Sequence, residues 1–246
     1  MRVPFIFTLI LSCFTLLSAQ LTHNYGNRNE RIRGNGNVIT KEIDVNDNFT
    51  DINVCCAIKV EVAQGPTTSI RVEGDENLLP YLKTEVSGNQ LNIYIQKGVG
   101  IKTDNGLYVY VTMPDLREIK ANSASKIKTT TSFTGTELDI DCSSAAQVFV
   151  DFSGNEVNVD VNSAGKVEME GKLQDIDLEA SSAGKIDALD CRADRAKAEV
   201  NSAGNIRLHV TEQLDAEASS GGSIRYRGTP DRVYTDANSG GRVSKL

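Results

Sequence analysis

Tryptophan does not occur in these 246 residues, histidine occurs twice, and aromatic residues make up 6% of the chain. A cleft that cleaves sugars needs stacking rings beside its carboxylates, so this poverty of rings argues against one. A nucleophile relay or an imidazole metal centre would have to be built from His23 or His209. A basic excess is missing too: the net charge of −7 speaks against nucleic acid as a partner. Long apolar runs are absent beyond the first nineteen residues, so no transmembrane segment is expected in the mature chain. Cysteine is sparse. Beyond Cys13 there are Cys55, Cys56, Cys142 and Cys191, too few over this length for a disulfide framework. Neighbours on a strand point to opposite faces, which places Cys55 and Cys56 poorly to bond each other. All four are expected to be small buried apolar residues.

The N-terminus has the three-part form of a cleaved secretory signal over residues 1–19. Arg2 is followed by an apolar stretch from Val3 to Leu17, then Leu17-Ser18-Ala19 ahead of Gln20. Export to the periplasm, the cell surface or the medium follows, in a compartment that permits disulfides. A rival reading takes Ile10-Leu11-Ser12-Cys13 as a lipoprotein site with an acylated Cys13, but it would cut the apolar region short. Residues 20–33 are expected to be a flexible N-terminus.

Residues 116–246 write one phrase seven times: Asn122-Ser-Ala-Ser-Lys-Ile, Ser143-Ser-Ala-Ala-Gln-Val, Asn162-Ser-Ala-Gly-Lys-Val, Ser181-Ser-Ala-Gly-Lys-Ile, Asn201-Ser-Ala-Gly-Asn-Ile, Ser219-Ser-Gly-Gly-Ser-Ile and Asn238-Ser-Gly-Gly-Arg-Val. The spacings are 21, 19, 19, 20, 18 and 19 residues. Each copy is therefore a unit that must stack on its neighbours to close a core. With the opening Asn or Ser as position zero, minus one, minus three and minus five are mostly apolar, as in Cys142, Ile140 and Leu138 or Val161, Val159 and Val157. Strict alternation marks a strand with one buried face. Plus five is Ile127, Val148, Val167, Ile186, Ile206, Ile224 and Val243, a second strand with the same inward habit. The predicted fold is an all-β, right-handed parallel β-helix with coils of 19 to 20 residues, the hand following from the crossover rule.

Plus one is Ser in every copy: Ser123, Ser144, Ser163, Ser182, Ser202, Ser220 and Ser239. A line of hydroxyls without a base is a structural corner column, whose side chains are expected to bond from coil to coil where water reaches poorly. Residues 34–115 read as less regular strands of the same domain, separated by Gln64-Gly65-Pro66, Ser87-Gly88-Asn89 and Asp104-Asn105-Gly106. Val86-Ser-Gly-Asn-Gln-Leu91 echoes the repeat phrase, and this part is expected to cap the rod.

Gly34-Asn-Gly-Asn37 before a strand to Val45, Phe49-Thr-Asp-Ile-Asn-Val into a strand ending Ala63-Gln64-Gly65, and the run of Asn-Ser-Ala-Gly-Lys coils resemble one family. It is the "putative auto-transporter adhesin head", or GIN domain, of secreted Bacteroidetes-type proteins. The resemblance covers about Gly34 to Val243. It implies an exported right-handed β-helical domain with an adhesion role and no catalytic residues. Cys55-Cys56 departs from the small pair usual there.

Outward columns carry the candidate surfaces. Minus two reads Lys120, Asp141, Asp160, Glu179, Glu199, Glu217 and Asp236, an acidic ladder whose like charges repel unless water, salt or nearby Lys compensates. It is expected to be a solvated face, with no metal or cofactor. Tyr94, Tyr108 and Tyr110 point outward by strand alternation and, if their strands pair, form one aromatic patch. The expected function is a non-enzymatic, adhesin-like surface protein binding a cell-surface protein or glycan, or a second copy of itself. The alternative is a carbohydrate-active enzyme, a glycoside hydrolase or polysaccharide lyase, on the same scaffold.

Overall fold

The tightest constraint on the chain lies at its corners. In each repeat the plus-one Ser and the plus-two residue both hold positive φ, for example 50° and 61° at Ser163 and Ala164 and 49° and 64° at Ser182 and Ala183. Two successive left-handed residues define a type I′ turn. The N–H of plus three closes it on the carbonyl of position zero, at 2.9 Å from Gly165 to Asn162 and 2.7 Å from Gly184 to Ser181. Successive corners are joined by main-chain bonds: Ala164 N–H donates to Ser182 O at 3.1 Å, and Ala183 N–H to Ser202 O at 3.2 Å. The Ser side chains themselves are exposed. The coil-to-coil links expected of them are made by the backbone instead.

The computed structural model describes residues 31–45 and 48–246. The expected signal, Cys13, His23 and residues 20–30 lie outside the described residues. Among those described, regular structure is strand apart from one 3-10 turn, Leu79–Tyr81. Long strands Gln147–Val161, Lys166–Ala180, Lys185–Val200 and Asn205–Ala218 stack in parallel register, Val148 on Val167, Ile186 and Ile206, and Val159 on Leu178, Ala198 and Ala216. This is a parallel β-solenoid. Every named inward residue of these coils is buried, so the alternation read from sequence is the core of the rod.

Two further coils precede the repeats. Asp51–Val54 and Lys59–Gln64 stack under Glu118–Ala121 and Lys126–Thr129, and Gln90–Ile95 and Tyr108–Met113 lie under those in turn. Pairing then turns antiparallel, with Leu82–Ser87 on Gln90–Ile95 and Val38–Ile43 on Ser69–Asp75. The solenoid edge thus ends in short strands bearing Lys41, Glu42, Lys83 and Glu85, which discourage further pairing. Two expectations are corrected. Val86 to Leu91 is the bend of an antiparallel hairpin rather than a coil corner, because Leu82–Ser87 folds back along Gln90–Ile95. At the end of the stretch expected to be a flexible N-terminus, Ile32–Arg33 is a strand paired with Ile101–Lys102.

The segment Gly34-Asn-Gly-Asn37 closes onto one buried carboxylate. Asp75 is 1% exposed. It accepts from Gly36 N–H at 2.8 Å, Asn105 Nδ2 at 3.0 Å and the Thr103 hydroxyl at 2.5 Å. A side chain at position 34 would put its Cβ 2.2 Å from the Asp75 carboxylate, which is why glycine stands there.

Candidate functional site

The three candidate tyrosines are half-buried, but they do not share a face. Gln90–Ile95 pairs with Asp51–Val54 and Leu82–Ser87, whereas Tyr108–Met113 pairs with Lys59–Gln64 and Ser69–Asp75. Tyr94 therefore lies on one side of the Cys55–Ala57 corner and Tyr108 and Tyr110 on the other. The expected single patch is two.

Tyr108 and Tyr110 stand two residues apart on one strand face, with ring centroids 6.4 Å apart and planes 12° from parallel. Lys59 Nζ sits 4.6 Å from the Tyr108 centroid and donates to its hydroxyl at 2.8 Å. The Arg71 guanidinium covers Tyr110 at 4.2 Å. Desolvation and the neighbouring Glu73 and Glu61 raise the Tyr110 phenol above its ordinary pKa, with Arg71 opposing. Register extends this face into the repeats: Glu61 abuts Lys128, which abuts Phe149. Phe149 is half-buried, with Lys126 Nζ 4.7 Å and Lys166 Nζ 5.7 Å from its centroid. Phe149 was not among the sequence candidates. Its signal is the plus-six position, outward by the same alternation that turns Val148 inward.

Across the corner, Tyr94 donates its hydroxyl to Glu85 at 2.7 Å, a bond that raises the phenol pKa. Asn53 Nδ2 donates to Asn92 Oδ1 at 3.0 Å on the adjoining strands. With Cys55, Ser87 and Asn122 these residues line a surface groove of about 480 Å³. Here the cysteine expectation is overturned. Cys55 and Cys56 form a disulfide with each other, half-buried and exposed respectively, because they occupy a turn and not a strand. Cys56 and Ala57 carry φ of 70° and 58°, the left-handed pair of every later corner. An eighth corner was thus concealed by its residue types; Val60 at plus five and Lys59 at plus four were its legible signals. Cys142 and Cys191 are buried free thiols as expected, pushed up by desolvation to about 11 and about 12.

The acidic column stands in continuous register. Lys120 abuts Asp141, followed by Asp160, Glu179, Glu199, Glu217 and Asp236. Partial desolvation raises Asp141, which Lys120 opposes, and it raises Glu179 together with Glu199, Asp177 and Asp160. Compensation comes from within the same face: Lys120 Nζ lies 2.6 Å from Glu118, and Lys197 Nζ lies 2.7 Å from Glu199 and 3.7 Å from Asp177. Lys166, at plus four, pairs with Glu168 two residues on along its own strand. Among the described residues no group of three or more His, Cys, Asp or Glu is arranged to hold a metal ion. At the corners, the Ser123 hydroxyl donates to Asn122 Oδ1. His209 lies beside Arg227, and burial with Arg227 and Arg192 lowers its pKa.

Solved structures share this fold. A "putative adhesin" from Bacteroides fragilis NCTC 9343 superposes with a TM-score of 0.79 at 24% identity, covering 87% of this chain and 100% of that one. A "putative lipid binding protein" from Parabacteroides distasonis ATCC 8503 gives 0.73 at 24% identity, covering 88% and 100%. A "putative adhesin" from Parabacteroides merdae ATCC 43184 gives 0.71 at 22%, covering 88% and 99%. At these identities the likeness establishes the fold alone. No curated protein matches the chain. The family described as "Putative auto-transporter adhesin, head GIN domain" matches residues 48–230, most of the solenoid with its corners and both preceding coils. The chain belongs to that adhesin-head family.

Proposed function

We propose that the chain is an exported, non-enzymatic surface-interaction protein, and that the face carrying Tyr108, Tyr110 and Phe149 is where a cell-surface protein or glycan, or a second copy, docks. The observation that carries this reading is the ring row itself. In a chain with so few aromatics, the stacked pair Tyr108 and Tyr110 and, three strands along past Glu61 and Lys128, Phe149 lie half-buried on one face, flanked by Lys59, Arg71, Lys126 and Lys166. Aromatic and Arg side chains are favoured in the cores of interfaces. Membership in an adhesin-head family supports the same reading. Among the described residues no helix is long and apolar enough to cross a membrane. No observation favours the carbohydrate-active enzyme: the carboxylates form an open ladder in continuous register.

The test is the pair Tyr108→Ser/Tyr110→Ser in the full chain. The melting temperature is expected to move by no more than ~3 °C, since both rings are outside the core. Binding to isolated cell envelopes, or oligomer mass in sedimentation, is expected to fall by about tenfold or more. A folded double variant that binds and assembles as the parent does removes the proposal.

A further inference from the structure

The groove across the corner is lined by different chemistry from the ring row, and nothing in the proposed docking face requires it. At its corner the Asn-Ser or Ser-Ser of the later corners is replaced by a bonded pair of cysteines. Closing Cys55 on Cys56 makes a small ring that has lost its side-chain torsional freedom, and Cys55 of that ring lines the groove at the position where the later corners carry Asn or Ser. The opposite wall is also fixed: the Tyr94 ring is anchored at its hydroxyl by Glu85. Between the walls lie the side chains of Asn53, Asn92 and Asn122. The bond from Asn53 Nδ2 to Asn92 Oδ1 uses one donor and one acceptor of that pair and leaves the Asn53 carbonyl and the Asn92 amide for a ligand.

The lining includes no Lys or Arg, so it offers nothing to a phosphate or carboxylate, and its one acid, Glu85, is already engaged by Tyr94. Val86 and Ile93 complete the lining, but an acyl chain laid between the walls would leave the amides of Asn53, Asn92 and Asn122 without partners, so the groove suits a ligand with both apolar faces and polar groups. A ligand suited to it presents C–H faces to a ring and to sulfur and a rim of uncharged hydroxyls to amides. We infer that the groove between Tyr94 and the Cys55–Cys56 disulfide is a binding site for a neutral saccharide, with the pyranose ring against Tyr94 and the disulfide and its hydroxyls on Asn53, Asn92 and Asn122. A volume of about 480 Å³ falls within the range of small-ligand sites.

Three neutral probes, cellotriose, mannotriose and tri-N-acetylchitotriose, are titrated into the isotope-labelled chain and followed by saturation transfer and amide shifts. At least one is expected to saturate, with the shifts centred on Asn53, Cys55, Asn92 and Tyr94. Tyr94→Ser should weaken that probe about tenfold. The pair Cys55→Ser/Cys56→Ser restores the Ser-Ser found at Ser143 and Ser144, so the corner keeps a sequence it uses elsewhere, and it should also weaken binding severalfold with the melting curve retained. Should a variant fail to fold, Asn92→Ala, on the exposed side of its strand, is the substitute and carries the same expectation. No saturation by any probe overturns the site, as does binding unchanged in both Tyr94→Ser and Asn92→Ala. Binding lost on Tyr108→Ser/Tyr110→Ser and kept in Tyr94→Ser would move the saccharide to the other face. The docking proposal stands or falls separately, on envelope binding and mass.

Discussion

At six of the eight corners two consecutive L-residues hold a conformation that costs each about 1–2 kcal/mol, and where the third residue is glycine a side chain there would crowd the coil before it. A Cβ on Gly184 would lie 2.2 Å from the carbonyl of Val161 in the coil before it. Ala183 has the opposite problem: its Cβ fits, but its φ of 64° favours glycine. Gly184→Ala is therefore expected to cost ~1–3 kcal/mol, as overpacking does, while Ala183→Gly should be neutral or mildly stabilising. Thermal melts of the two variants check this, and the reverse order would mean that the stacking distance at the corners is looser than described. The same reasoning explains why Cys56 can stand at a Ser position. What the turn selects is a small residue able to hold positive φ, not a hydroxyl.

Strands of this rod are legible by alternation because each buries one face completely. Val159 is 3% exposed and Ile186 1%, whereas Glu179, one position on from buried Leu178, is on the surface. An Asp in place of Val159 or Ile186 would bring an unpaired charge into the core, a change expected to cost at least ~3–5 kcal/mol and to unfold the coil locally. Glu179→Gln removes one of several repelling carboxylates and should raise the melting temperature by ~1–3 °C at low salt. Denaturation in both series decides it; a Val159→Asp variant as stable as the parent would reverse inside and outside. Alternation holds in the antiparallel strands too, but it did not give their sense of pairing or tell a hairpin from a corner, as at Ser87 to Asn89. Local sequence specifies a turn, but which strand the chain meets after it depends on partners distant in sequence.

For the whole molecule, acid acts in two directions. Asp75 has a folded pKa below its ordinary 3.8, chiefly through the Thr103 hydroxyl and against its own desolvation, so its contribution is present above that value and is lost as pH falls through the folded pKa. Asp141 and Glu179 have folded values above the ordinary 3.8 and 4.5, so their protonation on mild acidification relieves strain on the ladder and adds stability. The melting temperature should therefore rise slightly as pH falls from neutral toward the ordinary carboxylate range and fall again below 3.8. Asp75→Asn should flatten the acid limb and Glu179→Gln should shrink the rise; a profile that Asp75→Asn leaves untouched would remove the carboxylate from the cap. At the other end of the rod the last coil leaves Val233 43% and Tyr234 58% exposed. By itself the sequence determined the coil length, the buried columns, seven of the eight corner positions and the acidic ladder, because those follow from short-range periodicity repeated in register. Only the tertiary structure decided that Tyr94 is parted from Tyr108 and Tyr110, that Phe149 joins the latter, that Cys55 and Cys56 bond, and that Asp75 gathers Gly36, Thr103 and Asn105. Each of these depends on which remote strands become neighbours, or on left-handed backbone angles that alternation along a strand does not encode.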